Sequence, residues 1–196
     1  VEIIYASVDI ETTGLDPENH QVLQFGVVLD DLRSPLEHLP KMELLIVPDG
    51  DIKGDPFALH MNADLLRRIA RIRSGVYEEP YADMVGLGDV FCEFMQSHGW
   101  DFTRKLLIVG QNYGSFDHQF LKRDGVFNHL KLNHRFVSAG NMFWNPYQDG
   151  ANVPDLRESW RRAFGEEMPV EGQHTALSDA LRVVQVVRGA KERPFH

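Results

Sequence analysis

The chain has 196 residues, of which 43% are hydrophobic and 25% charged, a balance that suits one soluble globular domain with a sizeable core and excludes a disordered or membrane-spanning chain. A formal net charge of −9 argues against a protein that coats nucleic acid by long-range attraction, yet leaves room for an enzyme that grips one strand end through metal ions. The single Cys92 excludes an internal disulfide and a cysteine-based zinc cluster, and no basic region followed by an apolar core opens the chain, so a cytoplasmic location without membrane attachment is expected.

Residues 3–10 form an apolar run that reads as a strand, and Val22–Leu29 and Met42–Val47 read as two more, linked by turn-rich segments such as Asp16-Pro17-Glu18-Asn19. Short links between three strands predict an antiparallel meander. Helical spacing follows over Phe57–Arg73 and Leu87–His98. Leu106–Val109 is a short apolar strand closed by Gly110, Ser115–Arg123 a helix after it, and Arg135–Val137 a fifth strand. Residues 139–154 read as a long loop, and Asp155–Phe164 and Thr175–Arg188 as two closing helices. The order predicts a single α/β domain over residues 1–196: a mixed five-stranded sheet, antiparallel meander plus parallel strands, flanked by helices.

The first strand carries the chemistry. Asp9-Ile10-Glu11-Thr12-Thr13-Gly14-Leu15 places two carboxylates at i and i+2, on one face of a strand that is otherwise apolar. Neighbouring anions in such a place repel each other and lose hydration, so they call for a cation. Gly14 would let the backbone turn sharply and approach a ligand closely. A carboxylate also stands at Asp117, after the apolar strand and within Gly110-Gln111-Asn112-Tyr113-Gly114-Ser115-Phe116-Asp117, and His174 and Asp179 lie about one turn apart at the start of the last helix. Each has an ordinary alternative: a structural cation site or capped turn for Asp9 and Glu11, an acid favoured by a helix N-terminus for Asp117, a surface residue for His174.

Together, in this order, the segments resemble the DEDDh 3′→5′ exonucleases, the group that includes polymerase proofreading subunits and oligoribonuclease. D-x-E-x-T-G is Asp9 to Gly14, Phe-Asp is Phe116-Asp117 with Asn112 upstream, and H-x-A-x-x-D is His174 to Asp179. The first motif arises by chance in roughly a few chains per thousand of this length, so it carries most of the weight. Proofreading subunits usually show Asn-x-x-Phe-Asp; here three residues separate Asn112 from Phe116, and Gln111 stands where a histidine is common. Ala58-Leu59-His60-Met61-Asn62 echoes a segment that relatives place near the terminal nucleotide.

The resemblance implies an RNase H-like fold and hydrolysis of phosphodiester bonds at single-stranded 3′ ends, DNA ahead of RNA, releasing 5′-mononucleotides. It implies two Mg²⁺ or Mn²⁺ ions, as hard oxygen ligands favour. Asp9 would bridge them, Glu11 and Asp179 would sit on the nucleophile-side ion, and Asp117 on the leaving-group ion. His174 would take a proton from the attacking water, making His174 and Glu11 the catalytic pair. Ile10, Thr12, Thr13, Gly14 and Leu15 would line the slot for the last nucleotide, with His60, Met61, Asn112, Tyr113 and Phe116 completing the substrate contacts. Some relatives dimerise, and a homodimer or a polymerase or replication partner is compatible with the resemblance. The alternatives are a catalytically silent RNase H-like scaffold and an oligoribonuclease-type RNA exonuclease.

Two further segments allow two readings each. Leu65, Leu66, Ile69 and Ile72 give an amphipathic helix whose arginines form a solvated face or a basic ridge that guides a strand. Phe143-Trp144-Asn145-Pro146-Tyr147 is an aromatic loop that caps a core or stacks bases.

Overall fold

The computed structural model describes residues 2–169 and 175–190. Among them the chain forms a mixed sheet of six strands in the order β4-β3-β2-β1-β5-β6, with helices on both faces. β1 (Tyr5–Thr12) lies at the centre, antiparallel to β2 (Val22–Asp30) on one side and parallel to β5 (Ile108–Gly110) on the other. β3 (Lys41–Ile46) completes the predicted antiparallel meander. The edges are β4 (Tyr81–Ala82) and β6 (Val137–Ser138), each parallel to its neighbour.

β1 is central because both of its faces are covered. Ala6, Val8 and Ile10 enter one core with Phe25 and Val27 of β2, Leu87 and Phe91 of α3 (Met84–Ser97) and Phe120 of α4 (Asp117–Arg123). Tyr5 faces the other way, into a core with Ala180, Val183 and Val184 of α8 (Ala176–Ala190) and Trp160 of α7 (Leu156–Phe164). Strand periodicity then sends Ser7, Asp9 and Glu11 to the α8 face as well. The Ser7 hydroxyl donates to the carbonyl of Ala180 at 2.8 Å, pinning strand and helix together there.

Four departures from the sequence reading have physical causes. β4, the sixth strand, is two residues long and carries no periodicity to read. The helix expected over 57–73 is two helices, α1 (Pro56–Met61) and α2 (Ala63–Arg73), because Asn62 leaves helical geometry and its amide donates to the carbonyl of Thr12 at 3.0 Å. The expected loop 139–154 holds two short helices, α5 (Ala139–Phe143) and α6 (Pro146–Asp149), the second capped by the Asn145 side chain. Strand β1 runs two residues further than expected, so Glu11 lies within the ladder, opposite Gln24.

On α2, Leu65, Ile69 and Ile72 are buried over a small core with Leu23 and Leu45. Its arginines are engaged: Arg67 with Asp64, Arg68 with Glu79, Arg71 with Glu78, and Arg73 with the carbonyl of Pro48. That favours a solvated face over a free basic ridge. In the aromatic loop, Phe143 packs against the α8-side core, while the Trp144 indole donates to the carbonyl of Gly150 at 3.1 Å. No helix among the described residues is long and apolar enough to cross a membrane.

Candidate active site

At the C-terminal end of β1, Asp9 and Glu11 meet Asp179 from the first turn of α8. One carboxylate oxygen of each lies within 4.8 Å of the others. Such an arrangement is stable only if the acids are protonated or share a cation. Burial first, then the charge of Asp179, pushes the Glu11 carboxyl up to about 7, against a lowering by the Asn62 amide. Asp9 is raised well above the ordinary carboxylate range, by burial and then by Asp117, Glu11 and Asp179.

The approach of α8 depends on a gap in the sheet. Gly26 stands opposite Asp9 in the β1–β2 ladder. A Cβ there would come within 2.3 Å of the backbone of Ala176 and Leu177, so the helix start rests directly on the glycine. The first N–H groups of α8, which have no partners within the helix, are met from the sheet: Ala176 donates to Gln24 Oε1 at 3.0 Å and Leu177 to Glu43 Oε1 at 3.2 Å. Thr175 and Ser178 add a reciprocal cap, each hydroxyl accepting the other's N–H at 3.2 Å. Asp179 is thereby delivered one turn into a helix anchored on the neighbours of Asp9 and Glu11. One oxygen of Asp179 also accepts from the guanidinium of Arg182, at 2.8 Å.

Asp117 arrives by a different route. β5 ends at Gly110, so the part of β1 beyond it has no ladder partner on that side. The Asp117 carboxylate, 2% exposed at the start of α4, accepts the N–H of Ile10 at 3.1 Å and fills that vacancy. Burial raises its pKa, two backbone N–H groups oppose the rise, and Glu11 adds to it. Asp117 therefore closes the acidic group from the β5 side.

Asp9 and Asp179 border a cleft of about 420 Å³, lined also by Gln111, Asp155, Leu156, Arg157 and Met168.

No protein-family model matches the chain. It is 25% identical over 193 residues to the oligoribonuclease of Photobacterium profundum, covering 96% of this chain and 93% of that protein. An oligoribonuclease of Vibrio cholerae is 25% identical over 177 residues, 88% of this chain and 84% of the relative. Among solved structures, Escherichia coli exonuclease I in complex with a dT13 oligonucleotide superposes with a TM-score of 0.63 at 16% identity, over 96% of this chain and 40% of that one. The fold is shared, and nearly all of this chain corresponds to less than half of exonuclease I. These similarities support a DnaQ-like 3′→5′ exonuclease of the kind the DEDDh motifs imply.

In this exonuclease the remaining residues singled out in the sequence are placed unevenly. His174 lies outside the described residues. Thr12 and Thr13 shape the turn after β1: the Thr12 hydroxyl donates to the carbonyl of Gly14 at 2.8 Å, and the Thr13 hydroxyl accepts the N–H of Gln21 at 2.9 Å. Gly14 is needed for a reason other than the one expected, because the neighbours a Cβ would strike are the His20 ring and the Asp55 carboxylate. Leu15 is exposed just beyond the turn, and so are His60 and Met61 on α1. That short helix is fastened to the same turn at both ends, by Asp55 N–H on the carbonyl of Thr13 at 2.8 Å and by Asn62 on Thr12.

Ile10 and Tyr113, expected among the substrate contacts, are corrected by their burial. The Ile10 side chain points into the core under α3 and α4, leaving only its backbone at the site. Tyr113 is fully buried, its ring edge-on to Phe136 at 5.1 Å, which leaves it no face for a substrate. Phe116 is half-buried against Phe120. Asn112 is exposed and holds a left-handed backbone with φ of 58°, beside a second cleft of about 290 Å³ shared with Ser115, Ser138 and Asn141.

Sequence reasoning missed Gln24, Asn62 and Arg182. Arg182 was findable, since three residues after Asp179 in a helix is the same face. Gln24 was not, because its role depends on strand pairing.

Proposed function

We propose that this chain, as a single exonuclease domain over residues 1–196, removes nucleotides stepwise from single-stranded 3′ ends by two-metal hydrolysis. The observation that carries the reading is the Asp9, Glu11 and Asp179 trio within 4.8 Å, half-buried at a strand end beside a cleft. Its donor set is all carboxylate oxygen, which fits Mg²⁺ or Mn²⁺ rather than a softer metal. Asp9 would be shared between two ions, with Glu11 and Asp179 on one and Asp117 supporting the other. When bound, such ions neutralise the scissile phosphate and lower the pKa of a water molecule.

The chain's own groups do the rest. The Ile10 N–H holds Asp117 in place, and Arg182 orients Asp179. The turn from Thr12 to Leu15 and the facing α1 form a ledge where the terminal nucleotide would rest, with Leu15, His60 and Met61 as its exposed side chains. His174, from its place in H-x-A-x-x-D, would accept the proton of the attacking water and return it to bulk. The bond broken joins phosphorus to the 3′-oxygen of the preceding nucleotide, so the phosphate leaves on the 5′ position of the released mononucleotide, and the 3′-oxygen stays on the shortened strand and takes up a proton from solvent as a hydroxyl.

DNA is put ahead of RNA on motif likeness to proofreading enzymes. The names of the curated relatives favour a second reading, an oligoribonuclease-type enzyme on short RNA. Purified protein with Mg²⁺ or Mn²⁺, given matched 5′-labelled DNA and RNA oligonucleotides, separates the two. Stepwise shortening of RNA alone would replace the first reading by the second, and intact substrates of both kinds would remove both.

A further inference from the structure

Of the arginines on α7 and in the first half of α8, Arg161, Arg162 and Arg182 are spoken for. Arg161 and Arg162 grip Glu158, Arg162 also holds Asp149, and Arg182 is bound to Asp179. Arg157, in the first turn of α7, is exposed and makes no ion pair among the described residues, although it lines the same cleft as Asp9 and Asp179. The acids nearest to it in sequence are already engaged. Asp155 caps α7 by accepting the N–H of Glu158 at 2.8 Å, and Glu158 is shared between Arg161 and Arg162.

An arginine without an ion-pair partner among the described residues, lining the same cleft as Asp9 and Asp179, has one evident use. Metal ions held by the acids would compensate the scissile phosphate and no other. A second phosphate entering beside it meets carboxylates, in a chain whose net charge is −9, and is repelled unless a cation receives it. A guanidinium offers paired N–H donors to phosphate oxygens and stays charged at every working pH. With the terminal nucleotide on the ledge of Thr12–Leu15 and α1, the cleft of about 420 Å³, in the range of sites that enclose one small ligand, is left for the preceding unit of the strand and its phosphate.

We infer that Arg157 is a substrate-binding residue that receives the phosphodiester immediately upstream of the one being cleaved. The assignment deepens the exonuclease reading above and rests on it for the position of the scissile bond. It makes the enzyme prefer a strand with at least two linkages over a lone phosphodiester.

Three substrates test it, with wild type, Arg157→Ala and Arg157→Lys. The first is a 5′-labelled oligonucleotide, the second the p-nitrophenyl ester of thymidine 5′-monophosphate, which carries only the scissile phosphodiester. The third is the oligonucleotide with an uncharged methylphosphonate at the linkage next to the terminal one. Arg157→Ala is expected to raise KM on the first roughly tenfold, in line with the loss of a charged hydrogen bond. It should flatten the log–log salt dependence by about 0.7. It should leave the p-nitrophenyl ester and the melting temperature unchanged, and Arg157→Lys should recover part of the loss. Wild type should lose the same factor on the methylphosphonate strand, where Arg157→Ala costs nothing more. Equal losses on the oligonucleotide and the p-nitrophenyl ester, or no loss on the oligonucleotide, would overturn the assignment.

Anisotropy of a labelled strand in EDTA reads binding without turnover. A wild type that cleaves nothing yet loses affinity through Arg157→Ala would end the exonuclease reading and keep a phosphate-binding arginine. Unchanged affinity would end the arginine's role whatever the activity.

Discussion

Gly26 stands opposite Asp9 across the β1–β2 ladder, and the start of α8 lies on the space its missing side chain leaves. Two acids from β1 and one from α8 meet because of that contact. Gly26→Ala would place a methyl group 2.3 Å from the α8 backbone, and backbone cannot rotate away as a side chain can. The helix start must lift, carrying Asp179 with it. The expected cost is about 1–3 kcal/mol of stability from overpacking. The expected loss of activity is on the order of a hundredfold, since small displacements at reacting centres cost that much. Chemical denaturation and an oligonucleotide assay below the melting transition measure the two separately; full activity in a folded Gly26→Ala protein would show that α8 need not touch β2.

Asp117 has two tasks that a pair of substitutions separates. Asn at 117 keeps an oxygen to accept the Ile10 N–H, whereas Ala leaves that buried N–H unpaired, at a cost of about 1–3 kcal/mol. Asp117→Asn should therefore melt near or above wild type without metal, and Asp117→Ala clearly below it. Both should lose most of their activity. If the two variants melt alike, the Ile10 bond does not hold the loop.

Without metal, the acidic cluster should make the protein less stable as pH rises. Glu11 is held at about 7 in the folded chain against an ordinary 4.5, so between those values the folded state binds more protons than the unfolded. Stability then falls with rising pH across that window, by up to about 3 kcal/mol for this group alone. Asp9, raised in the same direction, steepens the fall. Melting in EDTA from pH 4.5 to 7.5 should show the decline, and millimolar Mn²⁺ should flatten it by replacing the protons. Asp9→Asn should melt above wild type in EDTA and gain little from Mn²⁺; a metal-free protein that grows more stable toward pH 7.5 would contradict the cluster.

Arg182 offsets part of the charge on Asp179 when no metal is bound. Arg182→Gln leaves the acids less compensated, so the metal-free protein should lose stability while the gain in melting temperature on adding Mn²⁺ becomes larger than in wild type. A thermal-shift titration reads both. An unchanged Mn²⁺ response would mean that the ion pair and the metal do not share Asp179.

The sequence made the acids of β1 legible because strand periodicity alone puts residues 9 and 11 on one face, and their neighbours Val8 and Ile10 on the other. Asp117 and Asp179 were legible as helix-start acids. What hid was everything that depends on pairing across the sheet. Gln24 lies opposite Glu11 only once register is fixed, and Gly26 in a strand reads as a weakness until the helix above it is seen. Asn62 looked like an ordinary helical residue, yet its bond to Thr12 breaks the helix in two. Tyr113 misled because it lies within the motif segment between Asn112 and Phe116, yet its ring packs into the core. The two-residue β4 has no pattern to find.

The central claim, that these carboxylates hold metal ions for cleavage from a 3′ end, is tested most directly with a 5′-labelled single strand, wild type against Asp9→Asn, in Mg²⁺ or Mn²⁺. The account predicts a ladder of products shortened one nucleotide at a time by wild type, abolished by EDTA and absent for Asp9→Asn, which remains folded. A strand left intact by wild type in both metals, or the same ladder from Asp9→Asn, would contradict it.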